Sequence, residues 1–142
     1  MANIKHSISI GAPAERIYPL VASGAGFARW WAEDVTDNSN GTVELGFFNR
    51  ATVYRLAPIR MKASFVEWQC ENGQEWSGTS LIFEMTAQGG NTLLRFTHAD
   101  WKSETDYFVS CNTVWGELMF RLKAVAEGKA SGPLFKTAAM AY

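Results

Sequence analysis

Histidine is the side chain best suited to move a proton near neutral pH, and this chain has two. His98 shares one side of an alternating run with Leu94 and Phe96, so it reads as an inward-facing imidazole near the end of a strand. There it can act as a general base or anchor a polar group of a ligand. Asp100, Asp106 and Tyr107 bracket the loop that follows and can form a polar rim with it. The plainer reading is favoured: His98 as a hydrogen-bonded core residue, Asp106 as a helix cap, Asp100 as solvent-facing. His6, alternating with Ile4 and Ile8, reads as core still more strongly. Two histidines without a clustered carboxylate argue against a metal site. Cys70 and Cys111 fall in neither a CxxC nor a metal-ligand spacing and read as two buried thiols. The chain has no G-x-S-x-G, no P-loop and no G-x-G-x-x-G fingerprint, and nothing calls for a cofactor.

Aromatic residues offer a different chemistry, that of a ligand pocket. Six tryptophans in 142 residues imply a heavy aromatic core or a cavity with aromatic walls. Strand alternation sets Val66, Trp68 and Cys70 on one face, Leu81, Phe83 and Met85 on another strand's face, and Leu94, Phe96 and His98 on a third. These meet Phe108, Cys111, Trp115 and Leu118 of a helix. Core packing is the better reading for most of them. For Trp68, Trp115 and His98, pocket lining and core packing weigh equally, and Trp30-Trp31 is either a cavity lid or packing of a short helix. The strand residues Glu44, Glu84, Arg55 and Arg95 read as outward-facing pairs of little energetic weight.

The elements that position these residues follow from pattern. Apolar alternation predicts a first strand over 4–10. Gly11-Ala12-Pro13 and Glu15 start a helix whose apolar face is Ile17, Leu20 and Val21, with Pro19 distorting it and 23–26 ending it. A second short helix is expected over 27–31. Strands are expected over 42–48, 51–56, 60–70, 75–86 and 92–98, with Asn72-Gly73 as a hairpin signal and Gly78 as a bulge. Ser103-Glu104-Thr105-Asp106 has the form of a capping box. It opens a long helix on which Phe108, Cys111, Trp115, Leu118, Leu122 and Val125 form one stripe, ended by Gly128. Val109 and Phe120 lie off that stripe, either widening the buried face or facing another molecule. After Gly128, Gly132-Pro133 breaks the chain and Leu134 and Phe135 can dock. The expectation is one α+β domain over 1–142, with a curved antiparallel sheet of six to seven strands around the long helix.

Composition narrows the classes. Apolar residues make up 47% and charged residues 19%, which excludes disorder as the main state. The net charge of −1, with no basic block, gives no footprint for nucleic acid. No stretch of about 20 apolar residues spans a membrane. Residues 1–6 lack the apolar centre of a signal peptide, so the expected location is cytoplasmic.

The opening "GAPAERIYPLV" after a strand, the "FVEWQC" strand, "LIFEMT" followed by "GNTLLRFTHADW", and the long closing helix together resemble the SRPBCC superfamily (START-like, helix-grip, the birch-pollen-allergen fold). Within it the chain is similar to the branch named after the activator of the ninety-kilodalton heat-shock-protein ATPase. The resemblance covers essentially the whole chain, and its motifs speak to fold more than to function. It implies a cavity between sheet and helix that holds a small, largely apolar molecule, and it allows cyclase or hydrolase chemistry. The residues expected to line such a site are Trp30, Val66, Trp68, Phe83, Phe96, His98, Tyr107, Cys111 and Trp115. An enzyme using His98 is one alternative. A protein-interaction module, co-chaperone-like or a homodimer using Val109, Phe120 and the tail, is another.

Overall fold

The computed structural model describes residues 2–137. Among them, strand β1 (Ala2–Ile10) leads into helices α1 (Ala14–Val21) and α2 (Gly24–Phe27). Six strands follow: β2 (Val35–Asp37), β3 (Val43–Phe47), β4 (Thr52–Lys62), β5 (Phe65–Cys70), β6 (Ser80–Gln88) and β7 (Asn91–Trp101). Helix α3 (Asp106–Ala126) closes the series. The strands pair antiparallel in the order β1-β7-β6-β5-β4-β3-β2. This is the α+β helix-grip arrangement, with short helices after the first strand and a long helix lying on the sheet.

Helix α3 forms where the apolar stripe begins. Its N-cap is Thr105, whose hydroxyl accepts the amide of Phe108 at 3.2 Å, so Asp106 is the first helical residue and not the cap. The same hydroxyl donates to Glu75 of the β5–β6 loop, which fastens the helix start to the sheet. At the far end Glu127 accepts from Lys123 and from the Gly11 amide, both at 2.7 Å. Gly128 then turns the chain with φ +87°. Both ends of α3 are thereby tied to loops of the sheet.

Several connections differ from the sequence expectation, each for a local reason. Strand β4 passes through Pro58 because a bulge between Pro58 and Arg60 takes up the missing amide. The expected single strand over 60–70 is broken by a turn at 63–64. Asn72-Gly73 is not a two-residue hairpin. The Asn72 side chain accepts from the Arg55 amide and donates to the Val53 carbonyl, at 2.8 and 3.0 Å, extending the β4 edge. Residues 73–78 then form a turn with Gly73 and Gly78 at positive φ, so β6 starts at Ser80. That turn carries Trp76 into the core.

The second short helix lies earlier than expected. Ser23 caps it through the Gly26 amide at 3.0 Å, and the Asp37 carboxylate accepts the amides of Gly24 and Ala25 at 2.8 and 2.9 Å. Asp37 comes from the short strand β2, which the sequence pattern did not predict. Gly26 lies where the two short helices touch: a Cβ there would sit 2.1 Å from the Pro19 carbonyl oxygen. Backbone cannot yield as a flexible side chain does, so a methyl group forces the helices apart. Gly26→Ala is therefore expected to lower stability by about 1–3 kcal/mol in urea unfolding. Gly90→Ala, with nothing within 4 Å of its Cβ position, is the control expected to show little change.

Candidate functional site

His98 is wholly buried on β7 and both its ring nitrogens are engaged. The Trp115 indole N–H donates to Nδ1 at 3.2 Å. An indole can only donate, so Nδ1 is the acceptor and the proton sits on Nε2. Nε2–H then donates to the Thr79 hydroxyl at 2.8 Å, which passes its own hydrogen to the Trp76 carbonyl at 2.6 Å. Burial pushes the imidazole down to about 3, so it is neutral near pH 7. Trp76 and Trp115 pack edge-on against the ring, with centroids 4.7 and 6.0 Å away. His98 thus fixes two tryptophans from different elements.

Those two indoles form the floor of an open cleft. Its walls are Trp31 and Phe47 on one side, Tyr107, Cys111, Val114 and Leu118 of α3 on another, with Phe48, Thr52, Tyr54 and Phe135 at the mouth. The pit has a volume of about 40 Å³. It shares Phe48, Thr52, Tyr54 and Tyr107 with a shallower groove of about 450 Å³ that runs out past Gly73, Gln74 and Glu75. A ligand pocket typically occupies about 300–1,000 Å³, so the pit alone takes only the tip of a small molecule and the groove supplies the rest.

The rim is built by backbone as much as by side chains. Phe48, Asn49 and Arg50 are three successive residues in the left-handed region, with φ of 53°, 56° and 66°. Each such residue costs on the order of 1 kcal/mol. The turn is held by Arg50, which reaches Asp34 at 2.6 Å. The chain after α3 returns to the same place. Phe135 donates its amide to the Trp31 carbonyl at 3.0 Å, accepts from the Glu33 amide at 2.8 Å, and sets its ring edge-on to Phe47 at 5.0 Å. Thr137 adds two hydrogen bonds to the Glu33 carboxylate. Phe135 and the Leu134 amide, which hydrogen-bonds the Trp30 carbonyl at 3.3 Å, thus lie against the short-helix region; residues 138–142 of the tail lie outside the described residues.

Polar groups in the cleft are few. The hydroxyls of Tyr54 and Tyr107 meet at 2.6 Å, and Tyr54 stacks on Trp76 with centroids 4.0 Å apart and planes 10° from parallel. Burial raises both phenols, Tyr54 to about 12, so both keep their protons at neutral pH. Burial also raises the Cys111 thiol, to about 11, and outweighs the opposing effect of the Trp76 and Tyr107 donors that face its sulfur. Cys70, in the core, is raised to about 12 by burial. Neither thiol has the character of a nucleophile.

The residues singled out from sequence divide into two groups. Tyr107, Cys111 and Trp115 line the cleft. His98 sits one layer behind, under Trp76 and Trp115. Trp30, Val66, Trp68, Phe83 and Phe96 are packed in the core. The indoles of Trp30 and Trp68 donate to the Leu20 and Val21 carbonyls at 2.9 and 2.8 Å, satisfying the last turn of α1. Trp31, the other half of the aromatic pair, does reach the cleft. Sequence reasoning missed Tyr54, Trp76 and Phe47. Trp76 was hidden because 75–86 read as strand, and the pair of glycines flanking it, Gly73 and Gly78, was the available signal for a turn. Among the described residues no helix is long and apolar enough to cross a membrane.

No protein-family model matches the chain, and no curated protein matches it. Solved structures do. The Aha1 dimer from Colwellia psychrerythraea, determined in solution, superposes with a TM-score of 0.79 at 29% identity over 90% of this chain and 98% of that one. CalU16 from Micromonospora echinospora gives 0.72 at 16% identity over 93% of this chain and 69% of that one. DynU16, a protein of the dynemicin biosynthetic locus, gives 0.71 at 12% identity over 92% of this chain and 49% of that one. The last two share the fold, while the Colwellia protein shares both fold and a substantial part of the sequence. The chain thus has the helix-grip fold and is similar in fold and sequence to the Colwellia Aha1, in line with the resemblance of its first strand, its last two strands and its closing helix to the SRPBCC superfamily.

Proposed function

We propose that the protein binds a small, largely apolar molecule, with an aromatic part, in the cleft between α3, the β3–β4 turn and the β5–β6 loop. The observation that carries this reading is the wall itself. Trp31, Phe47, Tyr54, Trp76 and Trp115 converge on a solvent-open pit. Flat side chains around an open space suit a flat apolar guest. A location in the cytoplasm fits this role. The alternative of an enzyme using His98 as base is less well supported. Both ring nitrogens are occupied by protein groups, and the imidazole has no face on the cleft.

A second reading has its own observation. Val109 is 57% and Phe120 66% exposed, and their spacing puts them on one outer face of α3. The Colwellia neighbour is described as a dimer. A homodimer through this face fits both.

Three measurements test these readings. The neutral dye N-phenyl-1-naphthylamine should brighten on mixing with the protein, and Val114→Lys should weaken that binding about tenfold by placing a charge in an apolar wall. Val109→Lys on the outer face should leave it unchanged. Absence of dye binding by the wild-type protein would overturn the ligand reading. Light scattering should give twice the chain mass for the wild type and a single chain mass for Phe120→Glu if the helix face pairs; a wild-type monomer excludes the dimer.

The third measurement concerns His98. The folded protein holds it at about 3, against 6.5 for a free imidazole, so between those values the unfolded chain takes up a proton that the folded one refuses. Stability from this residue is complete above about pH 6.5 and is lost on acidification, with a slope approaching about 1.4 kcal/mol per pH unit. Urea unfolding between about pH 7 and pH 5 should show this decline, and His98→Gln should flatten it.

A further inference from the structure

We propose that the guest of this cleft is an amphiphilic cation: an aromatic body that enters the pit, and a protonated amine on a short arm that meets the Glu75 carboxylate in the groove. The inference rests on the ligand-binding reading above and adds the charge of the guest.

The first observation is the charge of the lining. Among the residues that wall pit and groove, Glu75 is the sole charged one, with no Lys, Arg, His or Asp beside it. It is half-buried, and its field reaches the pit. Burial raises the Tyr54 phenol and the Cys111 thiol, and the negative charge of Glu75 adds to both. A carboxylate guest would meet that charge with no counterion in the lining. A cation would meet it with nothing of its own sign nearby.

The second observation is how the carboxylate is held. Glu75 Oε1 accepts the hydroxyl of Thr105, the N-cap of α3, which fixes the side chain at the edge of the groove. That bond engages one of the two carboxylate oxygens. Among the described residues no Lys, Arg or His forms an ion pair with Glu75. Glu71, at the start of the same connection, is answered by Arg55 at 2.8 Å. The protein thus neutralises the carboxylate that lies outside the groove and leaves the one inside it without a cation. An ammonium donates to such an oxygen in a charge-assisted hydrogen bond.

The third observation is the company Glu75 keeps. Phe48, Tyr54 and Tyr107 line both pit and groove, so a guest that spans the two carries its arm past aromatic rings. An ammonium near the face of such a ring is attracted by the ring's quadrupole. A bare metal ion is not served here: it needs several oxygen or nitrogen ligands, and among the described residues no three His, Cys, Asp or Glu cluster to hold one. An organic cation needs one carboxylate and a flat apolar wall, which are what the lining offers.

A matched series tests this: 2-(naphthalen-2-yl)ethylamine, 2-(naphthalen-2-yl)ethanol and 2-naphthylacetate, titrated into the full chain by calorimetry. The alcohol has the shape of the amine and can donate a hydrogen bond, so it isolates the charge. In about 20 mM salt the amine should bind about three- to tenfold tighter than the alcohol, the combined effect of a partly exposed ion pair and one aromatic face, with the carboxylate weakest. About 500 mM salt should shrink that preference in the wild-type protein, a readout that needs no variant. Glu75→Gln retains an acceptor for Thr105 and should erase the preference while leaving the alcohol's affinity unchanged. Glu71→Gln, which makes the same change in net charge outside the groove, should keep it. Equal affinities for amine and alcohol, tightest binding of the carboxylate, or a preference that survives Glu75→Gln would overturn the cation inference and leave the apolar cleft standing. Failure of all three compounds to bind would remove the ligand reading and the cation inference together.

Discussion

The His98 imidazole is the joint on which the rest of the cleft depends. It receives the Trp115 indole from α3 through one nitrogen, and through the other it holds Thr79, which closes onto the Trp76 carbonyl of the β5–β6 loop. Strand, helix and loop are thereby locked by one ring with no hydrogen-bonding capacity to spare. Such a network resists partial change, since loss of one member strands the others without partners in a low-dielectric interior. Tertiary positioning is what the two bonds of this ring provide in the fold.

The tryptophans place their indole N–H groups in different ways. Two of them finish the orphan carbonyls of helix α1, whose C-terminal turn has no capping glycine of its own. That use of indoles ties the end of a short, proline-containing helix to the core beneath it. Trp115 donates to His98, while Trp76 and Trp101 carry buried N–H groups with no nitrogen or oxygen partner; of these two, Trp76 lines the cleft. The left-handed turn at 48–50 and the returning chain at Phe135 frame the same opening.

Much of the architecture was legible in the sequence because it depends on periodicity. The 3.6-residue stripe from Phe108 to Val125 and the alternation of Leu81, Phe83, Leu94 and Phe96 follow from burial alone, and both appear as read. The connections were harder. Asn72-Gly73 carries a hairpin signature, yet the Asn72 amide finds better partners on the β4 edge, and a long-range hydrogen bond overrides a local preference. Strand β2 is three residues long and exists to bring Asp37 to the amides of α2, a role no periodic pattern encodes. The site was legible only in part. Trp115 and Trp68 look alike in sequence, since each is an inward indole among apolar neighbours. Only the three-dimensional path of the 73–78 turn brings Trp76 beside the first and leaves the second to the core.

The spacing of the indoles has an optical consequence. Trp30 and Trp31 lie 5.9 Å apart with planes 23° from parallel, Trp31 and Trp115 are 4.9 Å apart, and Trp115 and Trp76 6.4 Å apart at 19°. Four chromophores at these separations are electronically coupled, so a photon absorbed by one belongs in part to all. The coupled array runs from the packed core to the floor of the cleft, where Tyr54 stacks on its last member. The far-ultraviolet circular dichroism of this protein, where indole transitions are intense, should therefore carry a coupled contribution whose sign and strength are set by the relative twist of the rings. A small rotation of one indole at the cleft floor is thus written into the spectrum of the interior.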